Sequence, residues 1–156
     1  MSTKIIADSC CDLNDEIRKN VNVSIVPVAI QLEGEMYKDD GSLDVAAFLK
    51  KMRSSKEVPK TACPSPHEFI EKYKGEEDVF VVTVSSALSG TYKSAVLARE
   101  IFFEQVGKKF IHIFDSLSAS IGETLISLKI HEFIKRGHLR TEIVDKVNGY
   151  IKEMKT

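Results

Sequence analysis

Apolar and polar positions along the chain follow two alternating periods. Short apolar, β-branched runs predict strands at 4–7, 23–32, 79–82 and 109–114. Between these runs, apolar residues recur three or four positions apart, which is typical of helices. Because strands alternate with helices, the sequence predicts an α/β fold: a mainly parallel central sheet of at least four strands, flanked by helices.

Capping residues predict where several elements begin and end. Ser65-Pro66-His67-Glu68 has the form of a capping box with proline at the first helical position. A long helix is predicted from about Ser118 to Lys135, with Gly137 just past its end. Pro27 predicts an edge or a bulge in the second strand, and residues 58–64 are predicted to form a loop. Further N-caps are predicted at Asp12, Ser42 and Thr141.

The last predicted helix carries a wide apolar stripe. Its members are Ile143, Val144, Val147, Tyr150, Ile151 and Met154. A stripe of this width packs against another surface. We expect that surface to be the domain's own sheet or a second copy of the chain.

Hydroxyl and carboxylate side chains follow three predicted strands. We call Asp8-Ser9, Ser85-Ser86 and Asp115-Ser116 the polar rim. Open parallel sheets bind ligands outside the carboxyl ends of their strands, so we expect these residues to share one edge. Ser89 and Gly90 stand where a helix begins, and unpaired N–H groups there attract anions. Helix capping alone also explains such residues, and the sequence leaves both interpretations open.

Composition and motifs limit the other possibilities. The net charge of −1 and the lack of a basic stripe argue against nucleic acid binding. No apolar run of about 18 residues predicts a membrane span. Glycine-rich nucleotide loops are missing, and no cofactor is predicted. Asp8 and Asp115, on separate loops, do not predict a metal site.

Three cysteines bear on location and reactivity. Cys10, Cys11 and Cys63 match neither a zinc spacing nor a disulfide framework, which predicts a reducing, cytoplasmic compartment. Cys10 and Cys11 precede a predicted helix, whose N-terminus activates thiols in some proteins. The alternative is that they are small, partly buried residues. A hydrolase or transferase with Ser89 or Cys63 as nucleophile needs a nearby base, and His67 is the one histidine near the rim.

The order and spacing of these motifs resemble the DegV family of bacterial fatty-acid-binding proteins. The resemblance spans essentially the whole chain. The motifs that carry it are Ile5-Ile6-Ala7-Asp8-Ser9, Val26-Pro27-Val28, Tyr37-Lys38-Asp39, Thr61-Ala62-Cys63-Pro64-Ser65-Pro66, Ser85 to Ala95, and Asp115-Ser116 with Ser120 and Gly122. Each is a weak signal by itself, but together they are specific.

The resemblance implies a protein that binds a long-chain fatty acid and performs no chemistry itself. It places the carboxylate on Thr61 and Ser89. From their place at the strand ends and the helix start, we expect the supporting residues to be Asp8, Ser9, Ser86, Gly90, Asp115 and Ser116. It also implies that a separate ATP-dependent fatty-acid kinase receives the bound acid. Neither the length nor the saturation of the acyl chain follows from it.

Two features depart from the family pattern. The family loop usually reads T-S-Q-P-S, whereas Ala62 and Cys63 follow Thr61 here, so one hydroxyl and one amide are lost. Family members usually continue into a second α/β domain that closes over the acyl chain. We therefore expect residues 1–156 to be an amino-terminal domain, truncated before that second domain and empty of lipid.

Overall fold

Seven strands and six helices occupy residues 2–154, which are the residues that this computed structural model describes. The strands are β1 Thr3–Asp8, β2 Val23–Val26, β3 Ala29–Leu32, β4 Glu35–Lys38, β5 Lys60–Ala62, β6 Asp78–Thr83 and β7 Ile111–Asp115. The helices are α1 Asp15–Asn20, α2 Val45–Ser54, α3 Pro66–Tyr73, α4 Thr91–Gln105, α5 Ile121–Lys135 and α6 Arg140–Glu153. Among these residues no helix is both long enough and apolar enough to cross a membrane.

The central sheet has four parallel strands in the order β2-β1-β6-β7. These are the four strands that the apolar runs predict, so the α/β prediction is confirmed. Each connection between sequential strands of this sheet passes through at least one helix, as parallel pairing requires. The strands therefore share one carboxyl edge, where Asp8 pairs with Val26 and Thr83 pairs with Asp115.

Helices cover both faces of the parallel sheet and produce two hydrophobic cores. Successive strand side chains point to opposite faces, so Ile6 and Val81 belong to one core while Ile5 and Val82 belong to the other. The first core is closed by α3 and α4, and the second by α5 and α6. Both faces are thus buried, which explains why the strands read as continuous apolar runs.

A second, three-stranded antiparallel sheet has the order β4-β3-β5. Two predictions were wrong here. Residues 23–32 form two strands in different sheets, because the chain leaves the parallel sheet at Pro27, whose ring removes a backbone donor. Residues 58–64 are not entirely loop, since Lys60–Ala62 pairs with β3 as strand β5.

The capping predictions had mixed outcomes. The capping box at Ser65 and Glu68 is confirmed, and so is Gly137, whose φ of 77° suits the residue past a helix end. The other three N-caps were predicted two residues away from their true positions: Asn14 for Asp12, Asp44 for Ser42, and Leu139 for Thr141. The long helix α5 begins at Ile121 rather than at Ser118. At Asn14 and Asp44 the error is a displacement within a polar stretch that holds several good capping residues, whereas Leu139 is a residue type that propensity does not favour as an N-cap.

The apolar stripe of α6 packs on the domain itself. Ile143, Val147 and Ile151 are buried in the second core, beside Ile126 and Ile130 of α5. The first of the two surfaces that the sequence allowed is therefore the correct one. Of the stripe, the partly buried residues on this core are Val144, Tyr150 and Met154.

Candidate functional site

The loops that follow β1, β6 and β7 meet at the carboxyl edge of the parallel sheet. The Ser85 N–H donates to the Ser118 carbonyl at 2.8 Å, and the Ser116 N–H donates to the Thr83 carbonyl at 3.2 Å. The loops after β6 and β7, which carry much of the predicted polar rim, are thus joined, and three of the six rim residues, Asp8, Ser85 and Ser116, are buried. The backbone groups of these two loops are joined although they lie more than thirty residues apart in sequence.

Two aspartates hold these loops together. Asp8, fully buried, accepts the Val84 N–H at 2.8 Å and the Cys10 N–H at 3.0 Å. Asp115 accepts the Ser86 N–H at 3.0 Å and the Leu117 N–H at 3.2 Å through one carboxylate oxygen. Asp8 thus ties the loop after β1 to the loop after β6, and Asp115 ties that loop to the one after β7.

The hydroxyls of Ser9 and Ser116 form hydrogen bonds with the backbone of the loops. The Ser9 hydroxyl accepts the Val28 N–H at 2.9 Å, which ties the rim to the point where the chain enters the second sheet. The Ser116 hydroxyl donates to the Ser118 carbonyl at 3.0 Å and accepts the Ser118 N–H at 3.1 Å. Both residues therefore shape the site.

Ser89 lies in the turn that precedes helix α4. Its hydroxyl is 2.9 Å from the Thr91 hydroxyl and accepts the Thr91 N–H at 3.3 Å. The N-cap position itself belongs to Gly90, which has no side chain to cap the helix. Ser89 is therefore not the N-cap by position, although its hydroxyl accepts the N–H of the first helical residue. This half-buried hydroxyl lies at the helix N-terminus, where anions are favoured.

The segment after Thr61 reaches this helix N-terminus from the second sheet. Thr61 lies on β5, exposed, and pairs with Ile30 of β3. Two residues later, the Cys63 sulfur lies so close to Gly90 that a Cβ added to Gly90 would be 3.3 Å from it. The Ser94 hydroxyl of α4 donates to the Pro64 carbonyl at 2.6 Å. The structure thus brings the Thr61 segment and the Ser89 loop together.

Exposed apolar side chains accompany the polar rim. Leu88 is 71% exposed in the loop after β6, and Leu117 and Ile121 are each 58% exposed after β7. Leu117 also has a positive φ of 52°, a strained conformation for a leucine that the Asp115 carboxylate stabilises through its N–H. One edge of the sheet therefore offers hydrogen-bond donors and apolar surface side by side.

Burial disfavours the thiolate form of Cys10 and Cys11. Burial, with the Asp8 carboxylate adding to it, raises the pKa of Cys10 to about 12. Burial likewise raises the pKa of Cys11 to about 11. Desolvation outweighs the short helix α1 that follows, because a thiolate loses more hydration than this helix end returns. Of the two interpretations left open by the sequence, that of small residues agrees better with the structure, in which Cys10 is partly buried and Cys11 is buried.

Glu123 is a residue of the site that the sequence analysis missed. It lies in the first turn of α5 with no exposed surface, and its carboxylate lies near that of Asp8. One oxygen each of Asp8 and Glu123 and the Cys10 sulfur lie within 4.8 Å of one another. Burial first, and then the Asp8 charge, raise the pKa of Glu123 to about 9. The signal was present, since Glu123 shares the buried helical face of Ile126 and Ile130.

Comparison with known proteins supplies the family. The family model described as "Uncharacterised protein, DegV family" matches residues 2–156. A DegV domain-containing protein of Streptococcus pneumoniae serotype 4 is 35% identical over 99% of this chain, which spans 56% of that relative. The chain thus spans about half the length of the curated relatives it matches.

Solved structures agree with this match. A DegV-family protein of Ruminococcus gnavus, described with vaccenic acid, has a TM-score of 0.94 at 42% identity. The Streptococcus pneumoniae Fatty Acid Kinase (Fak) B3 protein, described as loaded with linoleic acid, has a TM-score of 0.87 at 34% identity. The matches cover 98% and 97% of this chain and 55% of each neighbour. With the parallel sheet, the rim and the sequence match in agreement, this chain belongs to the DegV family.

Proposed function

We propose that this protein binds a long-chain fatty acid, with the carboxylate held by Thr61 and Ser89. The observation that carries the proposal is the pairing of a polar rim with exposed leucines at one edge of the sheet. An amphiphile with an anionic head and an apolar tail matches both surfaces. The fatty acids named with the R. gnavus and S. pneumoniae relatives support the same ligand class.

The head group gains from hydroxyl donors at a helix N-terminus. Each hydrogen bond to a charged group contributes about 1.5–3 kcal/mol. Ser89 is held by the turn that begins α4, and Thr61 comes from an exposed strand that Cys63 and Pro64 anchor on that helix. The tail extends over Leu88 and Leu117, where each buried methylene contributes about 0.8 kcal/mol.

A binding experiment tests the assignment of the head group. We expect a fluorescent fatty acid, added in increasing amounts to the purified protein, to titrate one site. Thr61→Val with Ser89→Ala removes both donors at nearly constant volume, and we expect binding to be lost. Thr141→Val with Ser54→Ala, both at exposed helix positions, is the matched control. Unchanged affinity in the Thr61/Ser89 double variant would refute the site.

A chain-length series tests the apolar part of the site. Leu88→Gln is expected to weaken the binding of long acids more than that of short ones, because it reduces burial of the tail and leaves the head-group contacts unchanged. The matched change Val58→Gln replaces a side chain that is also exposed, 82%, but precedes the second-sheet strand β5. An equal loss for short and long acids in Leu88→Gln would show that Leu88 does not contact the tail.

The protein is further proposed to present the acid to a separate fatty-acid kinase, without catalytic machinery of its own. In that reaction the fatty carboxylate attacks the γ-phosphorus of ATP, and acyl phosphate and ADP form on the kinase. We expect acyl phosphate only when kinase, ATP and the loaded protein are combined. Acyl phosphate from the protein and ATP alone would refute this assignment.

The alternative, a hydrolase or transferase with Ser89 or Cys63 as nucleophile, has a different signature. It predicts stoichiometric labelling by a fluorophosphonate or by iodoacetamide, together with turnover. The Ser89 hydroxyl contacts the hydroxyl and the N–H of Thr91, and neither of these groups is a general base of the kind that a nucleophile needs.

We also propose a cytoplasmic location. The free thiols of Cys10, Cys11 and Cys63 agree with a reducing compartment.

A further inference from the structure

Two buried carboxylates face each other beneath the rim without a balancing cation. Asp8 and Glu123 both have 0% exposed surface. Within residues 2–154 neither forms an ion pair with lysine, arginine or histidine. An isolated buried charge is strongly unfavourable, so a pair of buried carboxylates requires a proton or a metal ion between them.

The Glu123 side chain distinguishes these two possibilities. Both of its carboxylate oxygens are buried and lack a hydrogen-bond partner. A single proton shared with Asp8 gives a partner to only one of them, and the other remains unsatisfied. A cation bound in the bidentate mode contacts both oxygens of a carboxylate at once. The orphaned pair therefore favours a metal ion.

The third nearby donor identifies the class of metal. Cys10 places its sulfur within 4.8 Å of a carboxylate oxygen from each of Asp8 and Glu123. Thiolate together with carboxylate suits zinc and similar divalent transition metals, whereas magnesium and calcium select oxygen ligands only. Cys10 is only partly buried, so the cluster is not fully sealed from solvent.

We propose that Asp8, Cys10 and Glu123 form a binding site for a divalent transition-metal ion of the zinc type. Binding releases the Cys10 thiol proton, because the thiolate is the ligand, together with any proton held between the carboxylates. The Asp8 oxygens keep their N–H contacts to Val84 and Cys10, since a carboxylate has lone pairs for both tasks. The ion would thus join α5 to the loops that carry the rim.

Metal titration of the chelator-treated, dialysed protein tests the site. We expect one equivalent of Zn²⁺ to bind in competition with a chromophoric chelator, and to raise the midpoint of thermal unfolding. Co²⁺ is expected to give a thiolate-to-cobalt charge-transfer band in the near ultraviolet. Proton release into a weakly buffered solution should accompany binding of either ion.

Two conservative variants separate a metal ligand from a structural residue. Glu123→Gln keeps the side-chain shape, and we expect it to weaken the affinity for Zn²⁺ at least about tenfold. Even the mutation of a residue that only contacts a metal ligand causes a loss of that size. Cys10→Ser is expected to abolish the cobalt charge-transfer band. The controls are Cys63→Ser, at an exposed cysteine, and Glu142→Gln, in the first turn of α6, and both should bind as the unchanged protein does.

Several results would overturn the proposal. Failure of the unchanged protein to bind either ion would do so, as would Zn²⁺ affinity that survives both Glu123→Gln and Cys10→Ser. If no metal binds and Glu123→Gln is folded and at least as stable as the unchanged protein, a shared proton occupies the gap instead. Circular dichroism of each variant confirms that it is folded before its metal affinity is compared.

Discussion

The two sheets each carry one of the two proposed head-group residues, yet they are built in opposite ways. The parallel sheet is covered by helices on both faces, and β1 ends in four consecutive buried residues, Ile5 to Asp8. In the antiparallel sheet, all three residues of β5 are exposed and three of the four in β4 are exposed. Ser89 follows the first sheet, and Thr61 lies in the second.

This difference shows that the two proposed head-group residues are positioned in different ways. Ser89 is positioned by a network of backbone bonds to Asp8, Asp115 and neighbouring loops, so its place follows from the core. Thr61 is positioned by three pairs with β3 and by the contacts of Cys63 and Pro64 with α4. The exposed strand β5 therefore constrains its side chains less than the buried strand β1 does.

The largest expected effect comes from comparing a buried ring of the parallel sheet's first core with a ring beside the antiparallel sheet. Phe69→Ala, at a fully buried position of the first core, should lower the free energy of unfolding by about 3–5 kcal/mol. Phe48→Ala, where the ring packs edge-on against Tyr37 beside the second sheet, should cost less than half of that, because water can reach the space left behind. Urea denaturation measures both. Equal losses would show that the second sheet is as tightly packed as the first.

An intermediate effect is expected where the two regions touch. A methyl group on Gly90 would lie 3.3 Å from the Cys63 sulfur, so Gly90→Ala should displace the Thr61 segment and lower fatty-acid affinity. Cys63→Ala in the same chain should restore it, with a coupling energy of about 0.5–1 kcal/mol in a double-mutant cycle. The control is Gly149→Ala in α6, where an added Cβ has open space. Additive effects of the two changes would show that the segments are independent.

The smallest expected effect is a pH dependence that belongs to the parallel sheet. Burial, and then the Arg99 charge, lower the pKa of His112 on β7 below its ordinary 6.5. The unfolded chain thus binds the proton more tightly, and His112 should lower stability as the pH falls below about 6.5. Stability is retained above that value, where His112 is neutral in both states.

Urea denaturation at a series of pH values checks this last effect. His112→Gln should flatten the acid side of the curve relative to the unchanged protein. His67→Gln, at an exposed position in the first turn of α3, is the matched control and should leave the curve unaltered. A His112→Gln curve that overlays the original would show that the partial burial of His112 carries no cost.

The sequence by itself determined the elements and the family. Strand and helix periods, the capping box at Ser65 and the glycine past α5 are local properties, set by neighbouring residues, and they survive into the fold. The polar rim was also predictable, because parallel strands must end at a common edge. The family motifs then led to Thr61 and Ser89, whose role as ligands stays a prediction.

Only the tertiary structure decided how distant segments meet. The break at Pro27 sends the chain into a second sheet, which turns the loop around Thr61 into strand β5 through pairing with β3. Glu123 reaches Asp8 although 115 positions separate their numbers, a contact that no local pattern encodes. Such contacts depend on how the helices pack across the sheet, and the order of residues along the chain does not reveal that packing. For this reason no sequence motif predicts the candidate metal site, whose residues come together only when the chain folds.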